Sequence, residues 1–251
     1  MKITLALSLI ILLWSLVGLA DELVILRNCI PNAIDYLSGS WPPDFAVLPS
    51  LADPIIETVQ MGFLGVALAS AIAVPLSLAA AKSTSPSSVV YAVSRTIINI
   101  CRSIPTLLWA ILFVSAVGLG PTAGILALAT HCIGSLGKYF SECIESIFPK
   151  IADTREAMQV DGANSAQVII YGLLPAVAPL FLSYIAYYAE WSIRAGTILG
   201  MVGAGGVGLR LTTSIRMFRR KEAAAIVLVV LALVTVIDGV SGILRRQLAS
   251  T

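Results

Sequence analysis

Charge is what this chain has least of. Asp, Glu, Lys and Arg make up 12% of its 251 residues and hydrophobic residues 58%, whereas a soluble domain carries about 25% charged residues. That balance excludes an ordinary soluble domain and points to a bilayer as the solvent. Histidine occurs once, at His131, and no HExxH or HxxE spacing accompanies it. A membrane-embedded enzyme would therefore lack its cluster of ligands, nucleophile or base, and no metal site is expected. The four cysteines, Cys29, Cys101, Cys132 and Cys143, form no CxxC pair. Cys101 and Cys132 lie in apolar runs, which reads as buried thiols rather than disulfides or zinc ligands. No GxxxxGK[ST] occurs anywhere. Without that phosphate-cradling loop and its lysine the chain is not an ATPase. A net charge of +2 is too small to suggest nucleic acid as a partner.

What is present is a series of long apolar stretches. Six are long enough to span, over residues 3–20, 55–81, 96–119, 122–140, 173–193 and 223–244, since about 20 residues cross the hydrocarbon. The expected fold is all-α, a polytopic membrane bundle of about six transmembrane helices. The first stretch, Lys2 followed by an apolar run and Gly18-Leu19-Ala20, has the form of a cleavable signal; with Met1 present it is read as an anchor helix over residues 1–20. Residues 21–54 contain Pro31, Pro42, Pro43, Pro49 and Pro54. That many prolines forbid one continuous helix, so an irregular extracytoplasmic loop is expected, followed by a core domain over 55–248. Ser83 to Ser88 reads as a loop and Gly118-Leu119-Gly120-Pro121 as a tight turn. With the N-terminus inside, Lys2, Lys82, Arg95, Lys138, Lys150, Arg155, Arg245 and Arg246 fall on the cytoplasmic side. Arg27, Arg210, Arg216, Arg219, Arg220 and Lys221 fall opposite, so the bias is weak.

Residues 150–175 are more informative. Asp153 and Glu156 have capping-box spacing for a helix start, and Asn164 and Gln167 repeat it. Gly162 between them supplies a turn residue without steric penalty. Two short helices joined at a glycine, the second running to Leu174-Pro175, form a polar knob between two spans.

These residues carry a resemblance. Glu156-Ala157, Gly162 and Leu174-Pro175 resemble the EAA loop of bacterial ABC-importer permeases, the cytoplasmic element that docks in a groove on the ATPase subunit. The resemblance implies that Asp153, Glu156, Ala157, Asp161, Gly162, Leu174 and Pro175 carry ATPase coupling, with the knob acting as a lever on the spans. The run Arg102 to Ala110, Val117 to Pro121, Leu128 to His131, Gly137-Lys138 and Arg194 to Gly208 are similar to the phosphonate-type permeases, and together the matches extend over about 57–248. This implies the type I ABC importer permease fold and uptake of a small phosphorus oxyanion: phosphonate, phosphite or hypophosphite. Methionine-type permeases share the EAA loop and a glycine-rich segment and are the nearest confusable relatives. An ion-coupled secondary transporter would leave the EAA-like loop unexplained, and should show inverted repeats or discontinuous helices that are not visible.

Gly203, Gly205 and Gly208 spell GxGxxG, but an apolar helix precedes them where a dinucleotide site needs a strand. With Gly206 they read instead as a non-helical turn packed on neighbouring backbone beside the translocation path. Ionisable groups near the spans are functional candidates. Arg194, one turn after Glu190, either pairs with it or meets the anion beside Thr197. Arg102, Ser103 and Thr106 offer oxyanion donors. His131 is read first as hydrogen-bonded packing and second as substrate contact, and Asp238 as pairing within the bundle. Tyr184, Tyr187, Tyr188 and Trp191 are either lipid-facing or gate-lining. The basic run from Arg216 to Lys221 is read as a solvated helix start partly compensated by Glu222, with attraction of an anionic ligand or an acidic binding protein as the alternative. The resemblance implies the assembly: a second permease chain as homodimer, two ATP-binding subunits holding ATP and Mg, an extracytoplasmic substrate-binding protein and surrounding lipid. No cofactor belongs to this chain itself. The expected location is the bacterial inner membrane.

Overall fold

The computed structural model describes residues 2–18 and 20–249, with side chains described for residues 5, 7–18 and 29–242. The side chains of Lys2, Arg27, Arg245 and Arg246, used above for orientation, lie outside these. Among the described residues every regular element is helical. In chain order they are α1 (Lys2–Gly18), α2 (Ala20–Ser40), α3 (Leu48–Ala80), α4 (Ser88–Ser103), α5 (Thr106–Val117), α6 (Pro121–Ile147), α7 (Ala152–Val160), α8 (Ser165–Gln167), α9 (Leu174–Leu199), α10 (Gly206–Arg216) and α11 (Arg220–Ala249).

The all-α bundle agrees with the sequence reading, but three elements differ from it. Residues 21–54, expected to be irregular, hold the 21-residue helix α2 with Pro31 inside it. One proline removes a single ladder bond, while Pro42 and Pro43 fall in the break after α2 and Pro49 in the first turn of α3. Pro54 lies inside α3 as Pro31 lies inside α2, so three of the five prolines mark a helix boundary and the other two are accommodated within a helix. The third stretch, expected to be one span, is broken at Ile104-Pro105, where α4 and α5 meet at 91°. The residue before proline is pushed out of the helical region, and Ile104 is extended at ψ 124°. Finally, by length and hydropathy three described helical segments (Phe45–Ala80, Ser165–Val202, Arg220–Gly242) can cross a membrane, or four counting the bent pair. α1 is a shorter apolar helix of 17 residues, and α6, ~40 Å long at 1.5 Å per residue, carries Lys138, Glu142 and Glu145 in its last three turns.

α6 is the centre of the bundle, packed on α3, α4, α5 and α9. The approach is close because small residues stand at the crossings: Gly65 of α3 faces Leu128 and Gly134 of α6 faces the backbone of Ile98 and Arg102. In a bilayer, where tails are as apolar as leucine, this close packing rather than water exclusion holds helices together. The core runs through Phe140 stacked on Phe181 at 3.9 Å, Leu136, Ile144, Leu173 and Val177. The cysteines are free thiols, with Cys132 and Cys143 buried and Cys132 beside the Ser192 hydroxyl at 3.4 Å. At the end of the bundle that carries residues 81–87, Glu145 accepts hydrogen bonds from Arg95 and from the Lys82 backbone amide, both at 2.9 Å. Arg95 also donates to the last carbonyl of α3, Ala80, at 3.0 Å. The ends of α3 and α6 are thereby tied to the middle of α4 in one platform.

Candidate functional site

The polar knob stands on this platform. α7 is a nine-residue helix whose exposed face carries Asp153, Glu156, Ala157 and Val160, the last 87% exposed. Asp153 does not cap it. The N-cap is Ile151, without a side-chain bond, and Asp153 sits in the first turn, where its charge still suits the helix dipole. A 3₁₀ turn over 148–151 leads directly into α7, so the chain enters already helical and leaves no extended cap residue. At the other end Asp161 is the C-cap and Gly162 adopts φ +89°. The Gly162 amide donates to Gln159 and the Ala163 amide to Met158 at 3.1 and 2.9 Å, the Schellman pattern that satisfies orphan carbonyls. Two residues on, the expected Asn164–Gln167 capping box is present in both directions, at 2.8 and 2.9 Å.

The second helix does not stop at Leu174-Pro175. α8 passes through a π-helical turn over Val168–Leu173 into α9, giving one helical segment from Ser165 to Val202. Pro175 has no amide to donate and would clash with a regular preceding turn; the wider π turn just before it accommodates both. The knob is thus mechanically continuous with a span. Its exposed apolar residues Val160, Ile170 and Tyr171 were not singled out from sequence; exposed apolar groups clustered on a polar loop mark a docking surface.

The glycine turn lies at the opposite end of α9. Gly203, Gly205 and Gly206 have φ +93°, +82° and +68°, and α10 starts within the turn. The Gly120 amide donates to the Gly203 carbonyl at 2.9 Å, joining the 118–120 turn to this one. Thr58 of α3, fully buried, accepts from the Val207 amide at 2.9 Å and donates to the Pro54 carbonyl at 2.8 Å. Thr58 too was missed by sequence reading, because nothing local marks one threonine of an apolar helix as the partner of residue 207.

The path candidates divide into two groups. Arg102, Ser103 and Thr106 flank the α4–α5 bend, which is braced by Trp109 donating to the Cys101 carbonyl at 3.1 Å. His131 reaches the same place: it lies beside the Ile104 backbone, within 3.5 Å of the Ser135 hydroxyl, and stacks on Trp191 at 5.0 Å. Arg194 and Thr197 lie farther along α9. Arg194 is shared between Glu190 at 3.2 Å and Asp238 of α11 at 2.8 Å, and its backbone carbonyl accepts from Thr197. The basic run before α11 is similarly engaged. Arg219 and Arg210 both meet Glu222, at 3.3 and 3.4 Å, and Arg220 lies over the Tyr36 ring of α2. This is the partly compensated helix start expected from sequence.

Comparison with known proteins decides the family. The model of the "Binding-protein-dependent transport system inner membrane component" family matches residues 73–250. The chain belongs to this family. Over 231 residues it is 40% identical to the phosphite transport system permease protein PtxC of Stutzerimonas stutzeri, covering 92% of this chain and 82% of that one. It is 37% identical over 222 residues to the putative phosphite transport system permease protein HtxC of the same organism, covering 88% and 78%. Among solved structures, a chain of the inward-facing MetNI methionine ABC transporter superposes with TM-score 0.70 at 20% identity, over 82% of this chain and 99% of that chain. The fold is therefore that of the ABC importer permeases. As a binding-protein-dependent transport component, the chain is a multi-pass inner-membrane permease subunit that works with an ATPase and a substrate-binding protein.

Proposed function

We propose that this permease subunit imports a small phosphorus oxyanion, phosphite, hypophosphite or a phosphonate, by alternating access driven by a separate ATPase. The observation that carries the substrate class is the 40% identity to a phosphite transport permease along 92% of the chain. The likeness to a methionine transporter, at 20% identity, supports the fold alone. The observation that carries the mechanism is the exposed α7–Gly162–α8 knob running on into α9 without a break. A force applied at Glu156, Ala157 or Gly162 reaches the bundle through a rigid element instead of a loose loop. In this reading Asp153, Glu156, Ala157, Asp161 and Gly162 face the ATPase on the cytoplasmic side. The π turn with Leu174 and Pro175 joins the knob to the span. Arg102, Ser103, Thr106 and His131 at the α4–α5 bend, with Arg194, Thr197 and the turn of Gly203, Gly205 and Gly206, border the path. Two copies of the chain enclose one path, two ATP-binding subunits hold ATP and Mg, and an extracytoplasmic binding protein delivers the anion.

Reconstitution with the cognate ATPase and binding protein tests this. ATP-dependent uptake of phosphite, hypophosphite or methylphosphonate by wild type, lost in Gly162→Arg with the chain still folded, is the expected result. ATP-driven uptake of methionine alone would overturn the substrate class, and uptake without the ATPase would overturn the mechanism.

A further inference from the structure

α10 closes in the same way as α7, and the two ends differ in one residue type. The Phe218 amide donates to the Ile215 carbonyl at 3.0 Å and the Arg219 amide to the Ser214 carbonyl at 2.9 Å, with Met217 as the C-cap. This is the Schellman pattern already seen at Gly162. It needs one left-handed residue just past the helix, where glycine is the usual choice. In the knob Gly162 fills that position. Here Phe218 fills it at φ +56°, the one positive φ outside glycine among the described residues. A bulky side chain in this region is a steric outlier, and such outliers gather at functional sites. Packing does not require the ring, which is 84% exposed.

The setting of the ring is basic. Glu222 engages Arg219 and Arg210, and Asp35 lies 3.8 Å from Arg220. Arg216 and Lys221, both exposed, form no ion pair among the described residues. The Asp44 amide donates to the Lys221 carbonyl at 3.1 Å, which fixes this tip beside the start of α3. The far end of α3, at Ala80, belongs to the Arg95–Glu145 platform next to the knob. The 33 residues of α3 cover about 50 Å at 1.5 Å per residue, roughly 20 Å more than the hydrocarbon core. With the knob cytoplasmic, the tip projects into water on the opposite side, where the ring has no acyl chains to enter. Short loops on that side are ordinarily poor in Lys and Arg. Backbone strain, an exposed aromatic and uncompensated cations thus coincide in one tight turn.

We infer that Phe218 and its basic rim dock the extracytoplasmic substrate-binding protein, which presents an acidic lip around an apolar notch; this rests on the reading above in which such a protein delivers the anion. Arg216 and Lys221 steer the acidic lip, and the ring fills the notch. Aromatic anchors carry much of the energy of such contacts, and one held by a closed turn has little left to order on binding. Glycine at 218 would keep the turn and lose the anchor, which gives the strain its use. α10 joins the tip directly to the Gly203–Gly206 turn at the end of α9. A docked protein therefore bears on the same long helix that the knob meets from the other side.

The test titrates the cognate binding protein, loaded with phosphite, against the complete transporter in proteoliposomes, reading uptake and ATP hydrolysis. It compares wild type with Phe218→Gly, Phe218→Trp and the double variant Arg216→Glu/Lys221→Glu. Phe218→Gly relieves the strain, so its melting temperature should rise. Its half-saturating concentration of binding protein should nevertheless rise about thirtyfold, the size of an interface hot spot, with activity restored at saturation. Phe218→Trp should stay near wild type. The charge-reversed variant should associate more slowly and lose most of the salt dependence. An unchanged half-saturating concentration in Phe218→Gly would overturn the inference and leave the transport reading intact. A melting temperature below wild type would also overturn it, since the ring would then be packing. So would a fall that saturating binding protein does not restore, which marks a contact with lipid or with the second permease chain. If neither uptake nor ATP hydrolysis of wild type responds to the binding protein, the delivery reading fails and this inference with it.

Discussion

Two glycine turns bracket the long helix that begins at Ser165, and they use glycine for different reasons. At Gly162 the backbone is left-handed, φ +89°, and an added Cβ would meet nothing within 4 Å. At Gly205, Gly206 and Gly208 the space itself is taken: a Cβ would strike Glu57, Thr58 and the Thr197 carbonyl respectively. The first turn needs only a conformation and is stabilised by its own local bonds, the Schellman pair and the Asn164–Gln167 box. The second is a junction at which α3, the 118–120 turn, α9 and α10 meet backbone to backbone. One end of the helix is therefore open to docking and tolerant of shape; the other is part of the packing and is not.

The largest effect expected from this contrast is at Gly208. Gly208→Val should cost more than about 3 kcal/mol, because its neighbour is backbone that cannot swing aside. Little folded protein should be recovered in detergent, and a yield and melting temperature like wild type would erase the distinction between the turns. Next comes Thr58→Val, which keeps the volume but strands the buried Val207 amide. A loss of about 1–3 kcal/mol is expected, read by denaturation in detergent. Smallest is the capping change Asn164→Ala, at about 1 kcal/mol. It should show as faster amide exchange over 165–174 with the melting temperature nearly unchanged. A global effect as large as that of Thr58→Val would mean the knob is not locally held.

Much of this molecule was legible along the chain. Hydropathy marks where the helices lie because lipid exposure is a property of each segment. Gly162 and the Asn164–Gln167 box were readable because a turn and a cap are closed within a few residues. The failures share one feature. Asp153–Glu156 has the spacing of a cap but lies inside a chain that arrives already helical, so its local signal was overridden by the preceding 3₁₀ turn. Proline was overread in 21–54, where its clustering mattered more than its number, and underread at Pro105, where a single proline turns a span through 91°.

The sequence by itself determined the solvent, the helical class, the knob and the family, since each depends on residue types in fixed short registers. Tertiary structure alone decided which distant residues meet. Arg194 finds Asp238 44 positions away, Thr58 finds the Val207 amide 149 positions away, and Glu145 binds Arg95 and Lys82 from two other elements. The reason is physical. A helix satisfies its own backbone and can be read from its own residues, but the rotation and depth at which two helices pack depend on the shapes of both surfaces at once.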